Sequence, residues 1–224
     1  MYNVINGKKI RIAIVGCGRI SKNHFASIEK HQENIELVAI CDTNISVLKD
    51  HEEGYKVPAY KSLEDMLDNE VLDIVALCTP SGIHPVQTEI IASRGIHVMT
   101  EKPMATRWID GINMVKACDR ANVRLFVVKQ NRRNSTLQLL KRAVQEKRFG
   151  KIRMVHINVF WTRPQEYYDQ AKWRGTWELD GGAFMNQASH YVDLVDWLIG
   201  PVASVQAMTS TTREIGRASC RERV

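Results

Sequence analysis

The sequence predicts an α/β protein in two parts: a doubly wound parallel sheet, followed by an α/β domain whose open sheet is mostly antiparallel. Two observations predict this. Short apolar runs alternate with helical patterns up to about residue 130, and after it a longer run alternates apolar and polar residues. Continuous apolar runs are typical of parallel strands covered on both faces, whereas alternation is typical of antiparallel strands with one solvated face. We therefore expect domains at 1–130 and 131–214.

The first 130 residues contain five strand candidates separated by helix candidates. The predicted strands are 9–16, 35–41, 72–78, 96–100 and 124–128, and the predicted helices are 19–30, 44–51, 62–68, 83–93 and 109–121. Ser62 and Asp65 frame the start of the third helix with the spacing of a capping box. Regular alternation of strands and helices favours a doubly wound sheet.

The later residues follow a different order. A predicted helix at 135–147 precedes a strand at 152–161, a loop rich in Trp, Arg and Tyr, a helix at 183–199 and a strand at 201–209. The last ten residues, IGRASCRERV (215–224), match one translated frame of a common DNA-sequencing adapter. We expect read-through there, with the second domain incomplete and the chain as given inactive.

Composition excludes several classes of protein. Of 224 residues, 44% are apolar and 25% are charged, with a formal net charge of +6. The basic residues are scattered and not interleaved with aromatic ones, so we expect no nucleic-acid partner, whereas an anionic small molecule suits the charge. No run of about 18 apolar residues occurs, so no membrane span is expected. Five cysteines without Cys-x-x-Cys or zinc-like spacing favour a reducing cytoplasm and no metal site.

A glycine-rich turn follows the first predicted strand. It is a GxGxxG variant in which Ser21 takes the third small position, and it lets a dinucleotide pyrophosphate approach the backbone and the next helix N-terminus. Asp42 ends the second strand 24 residues after Gly18, where a carboxylate accepts ribose hydroxyls and repels a 2′-phosphate. The pattern predicts a Rossmann-type sheet that binds NAD; a plain glycine turn is the alternative. The cofactor-binding residues expected here are Gly16, Gly18, Arg19, Ile20 and Asp42.

Polar groups also follow two later strands. Thr79, Pro80 and His84 come after the strand 72–78, and Glu101 and Lys102 come after the strand 96–100. Ligands of open α/β sheets bind beyond the carboxyl ends of the strands, so we expect these five residues to border the cofactor. The alternatives are an ordinary helix-start histidine and a surface Glu–Lys pair.

These motifs together resemble the glucose–fructose oxidoreductase / inositol dehydrogenase (Gfo/Idh/MocA) family. The resemblance rests on GCGRIS (16–21), TPSGIH (79–84), EKP (101–103) and GGAFMNQASH (181–190), and it covers about residues 9–210. It implies an N-terminal Rossmann domain, a C-terminal α/β domain, and oxidation or reduction of a sugar, cyclitol or nucleotide-sugar carbon. Lys102 and His190 match the catalytic lysine and histidine of that family.

The predicted helix 183–199 carries a polar face. Asn186, His190 and Asp193 are four and three residues apart, which places them one above another on an α-helix. Many family members have Asp in place of Asn186, so the resemblance leaves acid–base chemistry to His190 and Lys102. We expect Asp193 to orient His190. A histidine satisfied within the core is the alternative interpretation.

A closer resemblance is to enzymes that oxidise the 3-hydroxyl of UDP-N-acetyl-2-amino-2-deoxyglucuronate for bacterial surface polysaccharides such as lipopolysaccharide O-antigen. It rests on QNRRNSTLQLL (130–140) and on the segment 159–194, including MNQASH (185–190). A UDP-sugar acid is anionic, and arginine binds such groups well. We also expect a homo-oligomer. The implied substrate-binding residues are Lys102, Asn131, Arg132, Arg163, Tyr168, Trp173, Arg174, Asn186, Gln187 and His190.

Two other functions stay open at this point. One is a different sugar or inositol dehydrogenase of the same family. The segment 159–178, rich in arginine and aromatic residues, argues against that alternative. The other is an NAD-binding module without turnover, which would need only the first domain. The presence of both Lys102 and His190 argues against it.

Cofactor preference gives the first testable prediction. Because Asp42 is expected to accept the adenosine ribose hydroxyls, residues 1–130 should bind NAD(H) much more tightly than NADP(H). Calorimetric titration with both cofactors measures the difference. Equal or tighter NADP(H) binding would contradict the role given to Asp42.

Overall fold

The computed structural model describes residues 5–208. The chain divides into two compact units, Met1–Val128 and Lys129–Val224. The adapter-like stretch 215–224 lies outside the described residues.

The first unit is built on a six-stranded sheet in the order β3-β2-β1-β4-β5-β6. All neighbouring strands are parallel. The strands are β1 (Ile10–Val15), β2 (Ile35–Cys41), β3 (Ala59–Tyr60), β4 (Ile74–Leu77), β5 (His97–Thr100) and β6 (Leu125–Val127). This order reverses direction between β1 and β4, and the point of reversal is where a doubly wound sheet opens a ligand crevice. The predicted Rossmann-type sheet is confirmed.

Five helices connect these strands: α1 (Ser21–Lys30), α2 (Ile45–Tyr55), α3 (Leu63–Asn69), α4 (His84–Ser93) and α5 (Trp108–Arg120). The predicted cap of α3 is present, because the Ser62 hydroxyl accepts the Asp65 N–H at 3.1 Å. Asn44 caps α2 in the same way, accepting the Ser46 N–H at 3.0 Å. Side-chain caps therefore fix where two of the helices begin.

Alternate residues of β1 explain why its sequence is apolar throughout. Ala13 and Val15 belong to one buried cluster, together with α3, α4 and α5 side chains such as Met66 and Ile91. Ile12 and Ile14 belong to a second cluster with Phe25 of α1 and Leu48 of α2. The two clusters are the cores on opposite faces of the sheet, since successive side chains of a strand point to opposite faces.

The second unit is helical in the part that is described. It contains a 3₁₀ turn (Gln130–Arg133), α6 (Ser135–Gln145), α7 (Gln165–Asp169), a π-helical segment (Phe184–Ala188) and α8 (Ser189–Ile199). The predicted single helix 183–199 is therefore a π-helical turn followed by an α-helix. Asn134 caps α6, accepting the Thr136 N–H at 3.0 Å.

The expected antiparallel sheet of the second unit is not found among the described residues. Segments 152–161 and 201–208 form no strand ladder, and residue 209 lies outside the description. Alternation of apolar and polar residues indicates a segment that can form a strand, but the strand also needs a neighbouring strand to bond its backbone N–H and C=O groups. Apolar side chains of these segments are largely exposed, with Met154 at 85% and Phe160 at 91%.

None of the helices within residues 5–208 is long and apolar enough to cross a membrane.

The turn after β1 gives a stability prediction. Gly16 has φ +89°, and a Cβ there would lie 2.8 Å from backbone atoms of Cys78 and Thr79, so Gly16→Ala should lower the free energy of unfolding by at least about 2 kcal/mol. Gly18→Ala is the matched control, because a Cβ at Gly18 meets nothing within 4 Å. Urea unfolding of the chain measures both. Equal stability of the two variants would contradict the close approach.

Candidate active site

The carboxyl end of β1 leads into an open turn. Gly18 and Arg19 are exposed, whereas Ser21 is fully buried and donates from its hydroxyl to the Gly18 carbonyl at 2.6 Å. The small third residue of the motif thus lets α1 pack closely on the strand. The exposed backbone at Gly18 and the N-terminal end of α1 together suit a pyrophosphate. Ile20, half-buried, occupies the N-cap of α1.

Asp42 is held in place by backbone donors. Its Oδ2 accepts the Cys17 N–H at 2.7 Å and its Oδ1 accepts the Asn44 N–H at 2.8 Å. The side chain is half-buried, and each carboxylate oxygen can accept more than one hydrogen bond. Asp42 therefore offers a fixed acceptor beside the glycine turn, as ribose binding requires.

Three buried thiols surround this turn. Burial, with the charge of Asp42 as a smaller contribution, raises the pKa of both Cys17 and Cys41 to about 12. Burial also raises the pKa of Cys78. A neutral thiol is a poor nucleophile, so these cysteines act as packing groups.

His84 was expected to border the cofactor, and the structure corrects this. Its side chain is fully buried, with Nε2 2.9 Å from the Thr79 carbonyl and Nδ1 3.1 Å from the Pro103 carbonyl. Burial lowers the pKa of His84, although the Thr79 and Pro103 carbonyls oppose this effect. A fully buried ring cannot touch a ligand. His84 instead joins the loop after β4 to the loop after β5, and Thr79 is further fixed by donating to Gln87 at 2.6 Å.

Glu101 lies beneath Lys102 rather than on the surface. The Glu101 carboxylate is buried, its Oε1 lies 2.8 Å from Nε2 of His24, and its Oε2 accepts the Lys102 N–H at 3.3 Å. Lys102 is half-buried and precedes a cis bond to Pro103. The backbone that carries Lys102 is thus held by α1 through His24 and by α4 through His84.

Sequence reasoning missed His24. It is three residues past Ser21, one turn into α1, and is about 12% exposed at the side chain. No motif singles out that position. Its partner lies 77 residues away, so only the fold reveals the pair.

The second unit carries the expected polar helix in altered form. Asn186 and Gln187 belong to the π-helical segment, whereas His190 and Asp193 belong to α8. A π-helix bonds at i→i+5, so the four-residue spacing from Asn186 to His190 does not stack them as an α-helix would. Asn186, His190 and Asp193 are half-buried and lie in one short stretch of chain. Only the spacing from His190 to Asp193 is purely α-helical.

Asp193 forms its ion pair with an arginine, a partner that the expected role did not include. Its two carboxylate oxygens accept from Nε and Nη2 of Arg132 at 2.8 and 2.7 Å, and Lys129 lies 3.5 Å away. Burial alone would raise the pKa of Asp193, but Arg132 and Lys129 outweigh it and hold that pKa below its ordinary value. The bidentate pair fastens α8 to the Gln130–Arg133 turn, which also contains half-buried Asn131.

Arginines and aromatic rings cluster in the loop before the π-helical segment. The guanidinium carbons of Arg163 and Arg174 lie 5.2 and 4.4 Å from the Tyr167 ring centroid. Arg163 also lies 4.8 Å from the Trp161 ring, and Arg174 lies 5.8 Å from the Trp173 ring. The Tyr168 ring meets Tyr167 edge-on at 5.2 Å. Stacking of this kind keeps guanidinium groups in place without neutralising them.

Two donors in this cluster have no partner within the described residues. The Nε atoms of Arg163 and Arg174 are both buried and make no hydrogen bond there. Arg163 does donate from Nη2 to the Gln187 side chain at 2.8 Å, and Arg174 donates from Nη1 to the Tyr167 carbonyl at 2.7 Å. Both side chains are half-buried, so an anion would meet their exposed atoms and not the covered Nε atoms.

Across residues 5–208, no group of three or more His, Cys, Asp or Glu side chains is arranged to hold a metal ion.

Comparison with protein families decides the relationship. Residues 10–129 match the model of the oxidoreductase family with an NAD-binding Rossmann fold, and residues 137–219 match the Gfo/Idh/MocA C-terminal domain. The chain belongs to the Gfo/Idh/MocA oxidoreductase family. The family model describes an NAD-binding Rossmann fold. The glycine turn and Asp42 fit NAD: a Cβ at Gly16 would collide with backbone, and Gly18 leaves open space beside the turn.

Solved structures of two WlbA dehydrogenases are similar to this chain, both in complex with NADH and UDP-GlcNAcA. The one from Bordetella pertussis is 60% identical with a TM-score of 0.93, and the one from Chromobacterium violaceum is 63% identical with a TM-score of 0.92. Each match covers 96% of this chain and 62% of the other. A D-apiose dehydrogenase from Paraburkholderia graminis is 27% identical over 91% of this chain and 53% of its own length.

The Asp193 ion pair gives a pH-dependent prediction. Asp193→Asn should lower the free energy of unfolding at pH 7 by about 2 kcal/mol, because it removes the charge that Arg132 and Lys129 face. The pKa of Asp193 is lower in the folded than in the unfolded state. Its contribution to the free energy of unfolding is therefore complete above the unfolded-state pKa of about 4, and it is lost as the pH falls through the folded-state pKa.

Urea unfolding of both proteins between pH 7 and pH 3 measures this. Glu146→Gln is the matched control, because it breaks the more exposed Glu146–Arg148 pair in the same unit and should change little. A stability gap for Asp193→Asn that is the same at every pH would contradict the ion pair.

Proposed function

We propose that the protein removes a hydride from the 3-position of UDP-N-acetyl-2-amino-2-deoxyglucuronate, with NAD as acceptor. One observation carries the proposal: 96% of the chain is similar to two dehydrogenases whose structures contain NADH and UDP-GlcNAcA. The chain spans 62% of those structures, so the activity proposed is that of the whole protein.

The charge of the second unit supports this substrate class. A UDP-sugar acid carries a diphosphate and a carboxylate, and Arg163 and Arg174 are half-buried cations of this unit. Their stacked guanidinium planes suit bidentate contact with such groups. We also infer substrate contacts for Lys102, Asn131, Arg132, Tyr168, Trp173, Asn186, Gln187 and His190. Arg132 keeps only Nη1 outside its bidentate pair with Asp193.

The proposed chemistry separates the proton from the hydride. His190 takes the 3-hydroxyl proton, because imidazole is the side chain best suited to accept a proton at neutral pH. Lys102 donates a hydrogen bond to the same oxygen and stabilises the developing alkoxide. The C3–H bond breaks with its electron pair, and the C–O bond becomes a carbonyl. The bound nicotinamide supplies the hydride acceptor.

The fold supports the role of Lys102. His24, His84 and Glu101 hold the loop that carries it, so its backbone position is set before substrate binds. Gly16, Gly18, Arg19, Ile20, Asp42, Thr79 and Pro80 are the proposed cofactor neighbours. We further infer a homo-oligomer and a cytoplasmic role in lipopolysaccharide O-antigen synthesis. The four cysteines within residues 5–208 are free thiols, which suits a reducing compartment.

The catalytic pair is tested by substitution in the whole protein. Lys102→Met and His190→Asn should each lower kcat about 10²–10⁴-fold with UDP-N-acetylglucosaminuronate, because each removes a proton-handling group. NAD binding, measured by calorimetry, should persist in both. Lys116→Met, in helix α5, is the control lysine variant and should keep full activity.

Other substrates belong in the same assay. Preferred turnover of a free sugar, an inositol or D-apiose would overturn the UDP-sugar assignment. Near-normal turnover in either catalytic variant would overturn the mechanism while leaving the substrate assignment intact.

A further inference from the structure

Asp180 is a buried carboxylate to which no role has been assigned. Only 4% of the residue is exposed. One carboxylate oxygen accepts the Gly175 N–H at 2.8 Å, and the other accepts a hydrogen bond from the side-chain amide of Asn186. The carboxylate therefore connects the loop before the π-helical segment to that segment.

The loop is shaped to bring these groups together. The Thr176 carbonyl accepts the N–H groups of Asp180 and Gly181, both at 3.0 Å. Gly181 and Gly182 have φ of +76° and +75°, which favours glycine, and a Cβ on Gly182 would lie 2.9 Å from the Trp177 ring. Two consecutive glycines thus turn the chain so that Asp180 meets Asn186.

A line of hydrogen bonds continues from Asp180 through two amides to an arginine. The Asn186 carbonyl oxygen lies 3.5 Å from the Gln187 amide nitrogen. The Gln187 carbonyl oxygen accepts from Arg163 at 2.8 Å. We call these four side chains, Asp180, Asn186, Gln187 and Arg163, the amide relay.

The ends of the amide relay determine its direction. A carboxylate only accepts hydrogen bonds and a guanidinium only donates them, whereas a side-chain amide does both. Asn186 must therefore turn its NH₂ group to Asp180 and its oxygen away from it. Gln187 must turn its oxygen to Arg163. Neither amide can rotate without placing two donors or two acceptors against each other.

We propose that Asp180 is a positioning residue that orients Asn186 and Gln187 for recognition of the sugar of the substrate. This rests on the proposed function. With the two amides fixed, the remaining N–H groups and lone pairs of Asn186 and Gln187 point in set directions, and Arg163 keeps its place beside Tyr167.

The test uses three variants of the whole protein. Asp180→Asn has the shape of the wild type, but its NH₂ must face either Gly175 N–H or the Asn186 NH₂, and both are donors. Asn186→Asp brings two carboxyl groups into contact, where both cannot easily stay ionised. The double variant Asp180→Asn/Asn186→Asp exchanges the two groups and restores every hydrogen bond of the amide relay.

The expected results follow from this pairing. Each single variant should raise the KM for UDP-N-acetylglucosaminuronate at least about tenfold, the loss of one good hydrogen bond. The double variant should return to within about threefold of the wild type. The KM for NAD should not change in any of them. Glu166→Gln, which removes a charge from exposed α7 nearby, is the control and should leave both KM values unchanged.

Two outcomes would overturn the inference. Asp180 has no positioning role if both single variants keep the wild-type sugar KM, or if the double variant is no better than the worse single one. Thermal unfolding of the 224-residue chain with the same substitutions provides a readout that needs no substrate. If the double variant restores the melting temperature but the whole wild-type protein does not turn over the UDP-sugar, the proposed function is wrong and the amide relay stands. If the double variant does not restore the melting temperature, the amide relay is wrong as well.

Discussion

The close approach of Gly16 to the backbone of Cys78 and Thr79 is the constraint on which the rest of the site depends. A Cβ at position 16 would lie 2.8 Å from those atoms, so only glycine lets the end of β1 pass beside the end of β4. The Cys78 N–H then bonds to the Val15 carbonyl at 2.8 Å, and the Gly16 N–H bonds to the Cys41 carbonyl at 2.8 Å. Three strand ends are thereby joined at one edge, which is where a doubly wound sheet binds its ligand.

Polar side chains extend this edge outward in a defined order. Asp42 is fastened to the turn itself, His84 links the loops that follow β4 and β5, and Glu101 with His24 supports the backbone of Lys102. Two of the residues expected at the cofactor, His84 and Glu101, are buried, and their side chains contact the loops after β4 and β5 and helix α1. The sequence motifs therefore include residues that support the loops.

Most of the first unit was predictable because its signals are local. The strand predicted at 35–41 is found at Ile35–Cys41, and the predicted cap at Ser62 is present. Helix α2 continues to Tyr55 through Glu52, Glu53 and Gly54, where polar residues and a glycine hide the helical period. Strand β3 has only two residues, too few to show any period. Alternation at 152–161 predicted a strand for which the described residues offer no partner.

The residues proposed for the site are those that motifs and the family resemblance single out. Lys102 and His190 were identified from the family resemblance, whereas His24 and Asp180 are paired with residues that no local pattern connects to them. Asp193 has a partner that its helical spacing from His190 could not indicate, because Arg132, 61 residues earlier, donates to both of its oxygens. Helical spacing predicts which side chains share a face of one helix, but it does not predict which side chains of other elements contact that face.

Transfer of the C3 hydrogen of the sugar to the nicotinamide defines the proposed reaction, and isotopic labelling of that hydrogen tests it most directly. The whole protein is incubated with NAD and UDP-N-acetylglucosaminuronate that carries deuterium at C3, and the reduced cofactor is examined by mass spectrometry. We expect the deuterium to be recovered in the reduced nicotinamide together with a 3-keto sugar nucleotide. Reduced cofactor without deuterium, or a product oxidised at another carbon, would contradict the proposed reaction.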